Sequence, residues 1–179
     1  METNVVIREA VPDDAEALIR HVKELTAEPD VCVSMAPDEF DYSVDDERKM
    51  LADSLAADNS LFLVALAGQE LVGELTCKVN SRRRAQSHVA TLGMSVRSDW
   101  RHKGIGAKLM ERAIEWARQS NTIKRLQLQV FATNEPAIRL YKKCGFVQEG
   151  ILRKAVFRHG KFHDDLVMAL LLEEAPSVV

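Results

Sequence analysis

SVRSDWRHKGIGAKLM, residues 95–110, is the stretch on which the reading of the fold turns. Its centre, Arg101-His102-Lys103-Gly104-Ile105-Gly106, follows an extended run ending at Val96. After it come Leu109, Met110, Ala113, Ile114, Trp116 and Ala117 at helical spacing, which predicts a helix over Ala107 to Ser120. Strand, loop and helix therefore succeed one another here. Glycines let a loop backbone turn tightly and approach a ligand, and the free N–H groups at a helix start suit phosphate oxygens. A pyrophosphate fits such a place. Two other phosphate fingerprints are excluded: G-x-x-x-x-G-K-[ST] is absent, and the dinucleotide-binding pattern lacks its third Gly and its early position. Taken alone, R-x-x-G-x-G also describes an ordinary strand-to-helix turn.

Working outward, Val5 to Glu9 reads as a strand, and Pro12-Asp13-Asp14 opens a helix with Ala15, Leu18, Ile19, Val22 and Leu25 on one side. Pro29 and Pro37 interrupt residues 27–42 before a second helical run, Val44 to Ala57. Leu61 to Leu66, the turn Ala67-Gly68-Gln69-Glu70 and Leu71 to Val79 predict a hairpin, with a third strand over His88 to Val96. Beyond the central helix, Arg125 to Phe131 alternates as a strand. Pro136 and Gly145 then bracket a short helix. Phe146 to Phe157 and Asp165 to Leu172 close the sheet, and Glu173 to Val179 reads as a fraying tail. The predicted class is α/β, a mixed, mostly antiparallel sheet of about seven strands flanked by about four helices, in one domain over residues 1–179.

Composition narrows the function classes. With 46% hydrophobic and 28% charged residues the 179-residue chain has ordinary globular usage, and a net charge of −3 gives no footprint for nucleic acid. The basic run Arg82 to Arg84 is short enough for a solvated turn. There is no apolar run of membrane-spanning length and Met1 to Ala10 is no signal peptide, so a cytoplasmic protein without membrane or nucleic-acid partners is expected. A homodimer is compatible with the sequence. Cys32, Cys77 and Cys144 lack C-x-x-C spacing and read as buried small hydrophobes. His159 and His163 beside Asp164 and Asp165 invite a zinc reading, but Gly160 between the histidines argues for a hairpin turn, and no metal is expected.

Residues 95–110, followed by TNEPAIRLYKKCGF at residues 133–146, resemble the GNAT superfamily of N-acetyltransferases across roughly residues 61–172. The resemblance implies acetyl-CoA as cosubstrate. It assigns Arg101, His102, Lys103, Gly104, Ile105, Gly106 and Ala107 to the coenzyme A pyrophosphate and Met94, Ser95 and Val96 to the pantetheine arm. Asn134 becomes a coenzyme contact, and Tyr141 the partner of the leaving thiolate. Gly145 to Gly150, then a strand, then HGKFHDD at 159–165, is similar to the closing hairpin of small-amine and amino-acid acetyltransferases of the phosphinothricin acetyltransferase type.

The chemistry itself needs few groups, because a thioester is already activated. An amine with a pKa near 10.4 is only about one part in two thousand neutral at pH 7, so a base or water chain is expected. When the sulfur leaves as thiolate, the Tyr141 hydroxyl can protonate it, and packing with Leu140 is compatible with that role. Relatives often carry a Glu on the strand before the loop where this chain has Thr91. Glu74, among Val72, Leu75 and Cys77, is the substitute candidate, as a carboxylate with a raised pKa, and His88 is the second.

The expected reaction is acetyl transfer to a primary amine of a small molecule. A protein N-terminus or lysine is the alternative acceptor, and a non-catalytic acyl-CoA binding module the alternative class. A Cys144 nucleophile lacks an evident His partner. Glu28, Asp30, Asp38, Glu39, Asp41, Asp45, Asp46 and Glu47, with no Lys or Arg among residues 28–47, favour a polycationic acceptor if they border the cleft. Otherwise they are a solvated loop and the acidic first turn of a helix.

Overall fold

Two apolar stripes on one strand explain why helices cover both faces of the sheet. Within Ser60–Ala67, Leu61, Leu63, Ala65 and Ala67 turn to one core cluster, whereas Val64 with Phe62 and Leu66 turns to another. The structure, a computed structural model, describes residues 4–29, 31–36, 38–81 and 83–172. The order is β1 (Val5–Glu9), α1 (Ala15–Ala27), α2 (Val44–Leu55), β2 (Ser60–Ala67), β3 (Glu70–Lys78), β4 (Val89–Val96), α3 (Ile105–Gln119), β5 (Arg125–Phe131), α4 (Glu135–Lys143), β6 (Val147–Arg158) and β7 (Lys161–Leu171). Among the described residues seven strands form one sheet, ordered β1-β2-β3-β4-β5-β7-β6. Every pairing is antiparallel except β4 with β5.

Helix α3 lays Ile105, Leu109, Met110, Ala113 and Ala117 on the larger cluster, while Ala15 and Leu18 of α1 and Leu51 of α2 close the smaller one. The α/β class and the mostly antiparallel sheet expected from the sequence are thus observed. Bounds shift where caps and turns decide them. Helix α3 starts two residues early because Gly104, at φ 79, serves as its N-cap and leaves Gly106 inside the first turn. Helix α2 stops at Leu55, with Ala56 as its C-cap. Strand β7 begins at Lys161 rather than Asp165, because His159 (φ 48) and Gly160 (φ 73) make a two-residue turn that keeps both arms paired.

Cys77 is buried as expected, but Cys32 and Cys144 are only half-buried, which corrects that reading for two of the three. Arg83 and Arg84 are exposed between β3 and β4. Arg82, Asp30, Pro37 and the tail Glu173 to Val179 lie outside the described residues. No helix among the described residues is long and apolar enough to cross a membrane. On the outer hairpin Val147, Ile151, Phe157, Phe162 and Leu171 are each more than half exposed.

Candidate active site

The loop after β4 is built by backbone conformation. A 3₁₀ turn over Ser98–Trp100 reverses the chain, and the left-handed Gly104 starts α3 without offering a side-chain cap. The first helical bond runs from the Lys108 amide to the Gly104 carbonyl. The amides of Ile105, Gly106 and Ala107 therefore precede any intrahelical partner, at the positive end of the helix. Arg101, Lys103 and Ile105 are engaged elsewhere, and His102, at φ 62, is exposed. Arg101 donates from Nε to the Val96 carbonyl at 2.9 Å and pairs with Glu28 at 2.5 Å, so its guanidinium ties the loop to the end of α1. Lys103 Nζ lies 4.4 Å from the Trp100 ring centroid, and Ile105 is buried in the core. A Cβ at Gly106 would stand 3.1 Å from the Leu140 side chain, so the packing of α3 against α4 favours glycine here.

Beside that helix end the sheet opens. Parallel pairing of β4 with β5 is confined to Val89–Arg125, Ala90–Leu126 and Thr91–Gln127, although β4 continues to Val96 and β5 to Phe131. From Leu92 onward the β4 edge that faces β5 has left the ladder, and its backbone groups are available to an extended ligand. Met94 and Val96, half-buried, lie on this segment. Asn134 caps α4, its side-chain oxygen accepting the Ala137 amide at 3.3 Å. Tyr141 is buried against Phe146 at 6.0 Å between ring centroids, and burial pushes its phenol up to about 12. It is protonated throughout the neutral range. Burial also raises the Cys144 thiol, which argues against a thiolate nucleophile there.

On the other side of β3 and β4 lies an open cleft of about 800 Å³, walled by α1, α2 and their connection. Its lining is mainly apolar, with Val22, Leu25, Phe40, Tyr42 and Phe62 among the residues. Glu74 stands on its floor, half-buried, and accepts a hydrogen bond from Ser95 Oγ at 3.2 Å. Desolvation pushes its carboxyl up to about 7, the Ser95 bond opposes that shift, and the nearby Glu47 carboxylate adds to it. Glu47 is itself buried and raised by desolvation. The cause differs from the one read in the sequence. Val72, Leu75 and Cys77 belong to the core cluster on the opposite face, so it is the cleft wall that desolvates Glu74.

His88 is exposed at the start of β4, where its carbonyl accepts the Lys124 and Arg125 amides, and it is not part of the cleft. Thr91 Oγ1 accepts from Gln127 at 3.4 Å. Three residues of the acidic run are occupied elsewhere: Glu28 pairs with Arg101, Glu39 accepts the Ala36 amide and Asp45 pairs with Arg48. Of the described residues of that run, Asp46 and Glu47 are among the cleft lining. His159 lies against Arg158 and His163 stacks on Phe131, so they serve different contacts. Among the described residues no group of three His, Cys, Asp or Glu could hold a metal.

Two buried polar residues tied to the surroundings of the cleft escaped the sequence. His21 is 2% exposed and its Nε2 meets Ser95 Oγ at 2.8 Å, extending the Glu74 network into α1. Its place three residues after Leu18 and four before Leu25, on the buried stripe, was the available signal. Arg158 at the end of β6 donates to the Val33, Met35 and Thr26 carbonyls at 2.7, 2.6 and 2.9 Å, pinning the α1–α2 connection over the cleft. Nothing local in the sequence marks it.

An unpaired strand edge thus runs along β4 between the free amides of α3 and the cleft, a path open to an extended ligand with an anionic end. The sequence model described as the acetyltransferase (GNAT) family matches residues 21–146, and the chain belongs to that family. It is an acetyl-CoA-dependent acetyltransferase. The L-amino acid N-acetyltransferase AaaT of Escherichia coli (strain K12) is 36% identical over 169 residues, covering 93% of this chain and 98% of that protein. The spermidine N(1)-acetyltransferase of Vibrio cholerae is 28% identical over 133 residues, 73% of this chain and 75% of that one. A solved acetyltransferase of the GNAT family from Streptococcus pneumoniae matches at TM-score 0.90 and 30% identity, over 95% of this chain and 100% of that chain.

Proposed function

We propose that the protein transfers the acetyl group to the primary amine of a small molecule by direct attack, with Glu74 as general base and Tyr141 as general acid. The observation that carries the reading is Glu74, a carboxyl on the cleft floor shifted to about 7, at the pH where a base both accepts and releases a proton readily. Acetyl-CoA supplies an activated thioester. The amides from Gly104 to Ala107 would hold its pyrophosphate, with Arg101, His102 and Lys103 shaping the loop, and the free β4 edge at Met94, Ser95 and Val96 its pantetheine. Asn134 fixes the start of α4, the helix that carries Tyr141. Tyr141, kept protonated by burial, would donate to the departing thiolate.

The acceptor we assign is an amino acid with an apolar side chain. The mainly apolar cleft supports it, as does the substrate class in the name of AaaT. For a polycation the lining offers Asp46, Glu47, Asp53 and Glu74 beside Lys49 and Lys78, whereas the described residues Asp38, Glu39 and Asp41 of the acidic run are not part of it. A homodimer would cover the exposed apolar side chains of β6 and β7, and sedimentation equilibrium of the wild type reads that directly.

Free thiol release with an apolar L-amino acid, spermidine and a peptide bearing a free N-terminus tests the whole reading. The amino acid should turn over fastest, and its rate should fall as pH drops through about 7, because a protonated Glu74 cannot accept a proton. Glu74→Gln should lose that limb. Faster turnover of the peptide would move the assignment to protein acceptors. Acetyl-CoA binding without thiol release from any amine would leave a binding module.

A further inference from the structure

The reading of Glu74 as base leaves one buried group without a task. His21 on α1 is buried, its Nε2 lies 2.8 Å from Ser95 Oγ, and its Nδ1 is buried without a hydrogen-bond partner. Ser95 sits directly across β3–β4 from Glu74 and is itself the donor to Glu74 Oε1 at 3.2 Å. A serine hydroxyl has one proton to give. If His21 carried its proton on Nδ1, Nε2 would have to accept from Ser95, and Glu74 would lose its donor. That tautomer would also bury an unpaired N–H, a rarer arrangement than an under-used acceptor.

We propose that His21 is a positioning residue: held as the Nε2–H tautomer, it donates to Ser95 and so commits the only Ser95 proton to the Glu74 carboxylate in the acceptor cleft. The chain of donors runs His21 Nε2–H to Ser95 Oγ–H to Glu74, and each bond polarises the next. It stabilises the ionised carboxylate against the desolvation and the Glu47 charge that oppose it. The device needs a neutral imidazole. Burial first, then the Arg97 and Arg101 charges on the loop after β4, hold His21 down to about 4, with Glu28 at the end of α1 working the other way. Glu70 and Asp99 pair with Arg97 and Glu28 pairs with Arg101, which moderates both cations.

The inference rests on Glu74 as base, yet it can be measured apart from it. The Glu74 carboxyl is titrated by carbon-13 NMR in protein carrying labelled glutamate, and the pH profile of kcat is recorded alongside, for wild type, His21→Leu, His21→Gln and Ser95→Ala. Glu74→Gln assigns the resonance. Ser95→Ala should move the Glu74 midpoint upward by about one pH unit, since a hydrogen bond to a charged group is lost. His21→Leu should move it the same way by less, and His21→Gln, which restores an N–H near the position of Nε2, should bring it back toward wild type. In the two His21 variants acetyl-CoA affinity should stay within twofold, by the order of magnitude expected for a change remote from the donor.

A wild-type midpoint in both folded His21 variants and in Ser95→Ala overturns the coupling, while loss of the acidic limb in Glu74→Gln would leave the base assignment standing. Midpoints that move while the rate profile stays fixed uphold the coupling and remove Glu74 as base. If His21→Leu fails to fold, His21→Met, another buried side chain without an N–H, takes its place and should move the midpoint upward in the same way. Reduced activity with an unmoved midpoint marks a purely structural histidine and overturns it as well.

Discussion

The two sides of β4 are built by different physics. Toward β5 and α3, the side proposed for the donor is made of backbone: a left-handed glycine, a helix end and a strand edge that leaves its ladder after Thr91. Toward α1 and α2, the acceptor side is made of side chains that meet across the fold, with His21, Ser95 and Glu74 in one network and Glu47 close enough to raise Glu74. Backbone sites constrain residue type locally, because few residues tolerate the required φ or approach. Side-chain sites constrain proximity, and proximity leaves little local trace.

Tyr141 belongs to neither side alone, since its helix starts beside the open edge and its ring is buried in the core. It carries the largest expected effect. Tyr141→Phe removes one oxygen and should lower kcat by about 100-fold with acetyl-CoA affinity and melting temperature nearly unchanged, a loss at the low end for general acid catalysis. Stopped-flow thiol release and calorimetry read the two quantities. An unchanged kcat would reduce Tyr141 to packing against Phe146 and leave the thiolate to solvent.

The donor side can be broken more finely at Gly104. A Cβ there meets nothing within 4 Å, so the free protein needs glycine only for its φ of 79. Asn tolerates that region better than other side-chain-bearing residues. Gly104→Asn should therefore fold with near-wild-type stability and yet weaken acetyl-CoA binding by about tenfold, on the proposed approach of the phosphates through that open space. Wild-type affinity in this variant would mean that the glycine serves the turn alone.

Much of the fold was legible because periodicity and punctuation agreed. β1 and β5 fall on the predicted residues, and the two-residue hairpin at His159-Gly160 follows from Gly160. The open edge of β4 was not legible from pattern, since a strand that leaves its partner has the same alternation as one that stays. On the acceptor side Glu74 was found for a reason that the structure replaces. Its sequence neighbours point away from it, and the burial comes from α1, α2 and their connection. His21 and Arg158 stayed hidden because a polar residue on a buried stripe, or an arginine ending a strand, is explained only by partners 74 to 132 positions away.

The smallest expected effect concerns the acidic run, and it tests whether charge near the cleft matters without contact. Asp38, Glu39 and Asp41 are exposed and absent from the cleft lining, whereas Asp46 and Glu47 belong to it. Exposed charges act through water and are screened over a Debye length of about 10 Å at 0.1 M salt. Changing Asp38, Glu39 and Asp41 to Asn, Gln and Asn should therefore raise KM for spermidine by less than about twofold at that ionic strength, and by less still at higher salt. Glu47→Gln acts in the cleft itself. It removes a carboxylate that raises Glu74, so the acidic limb of the rate profile should shift to lower pH for every amine, charged or not. The two results separate two meanings of acidity: a surface field would discriminate polyamines from amino acids and fade with salt, while a buried carboxylate would tune the base alike for both. A strong, salt-sensitive loss of spermidine turnover in the triple variant would show that the α1–α2 connection closes on its acceptor, and would return the polycation to first place among substrates.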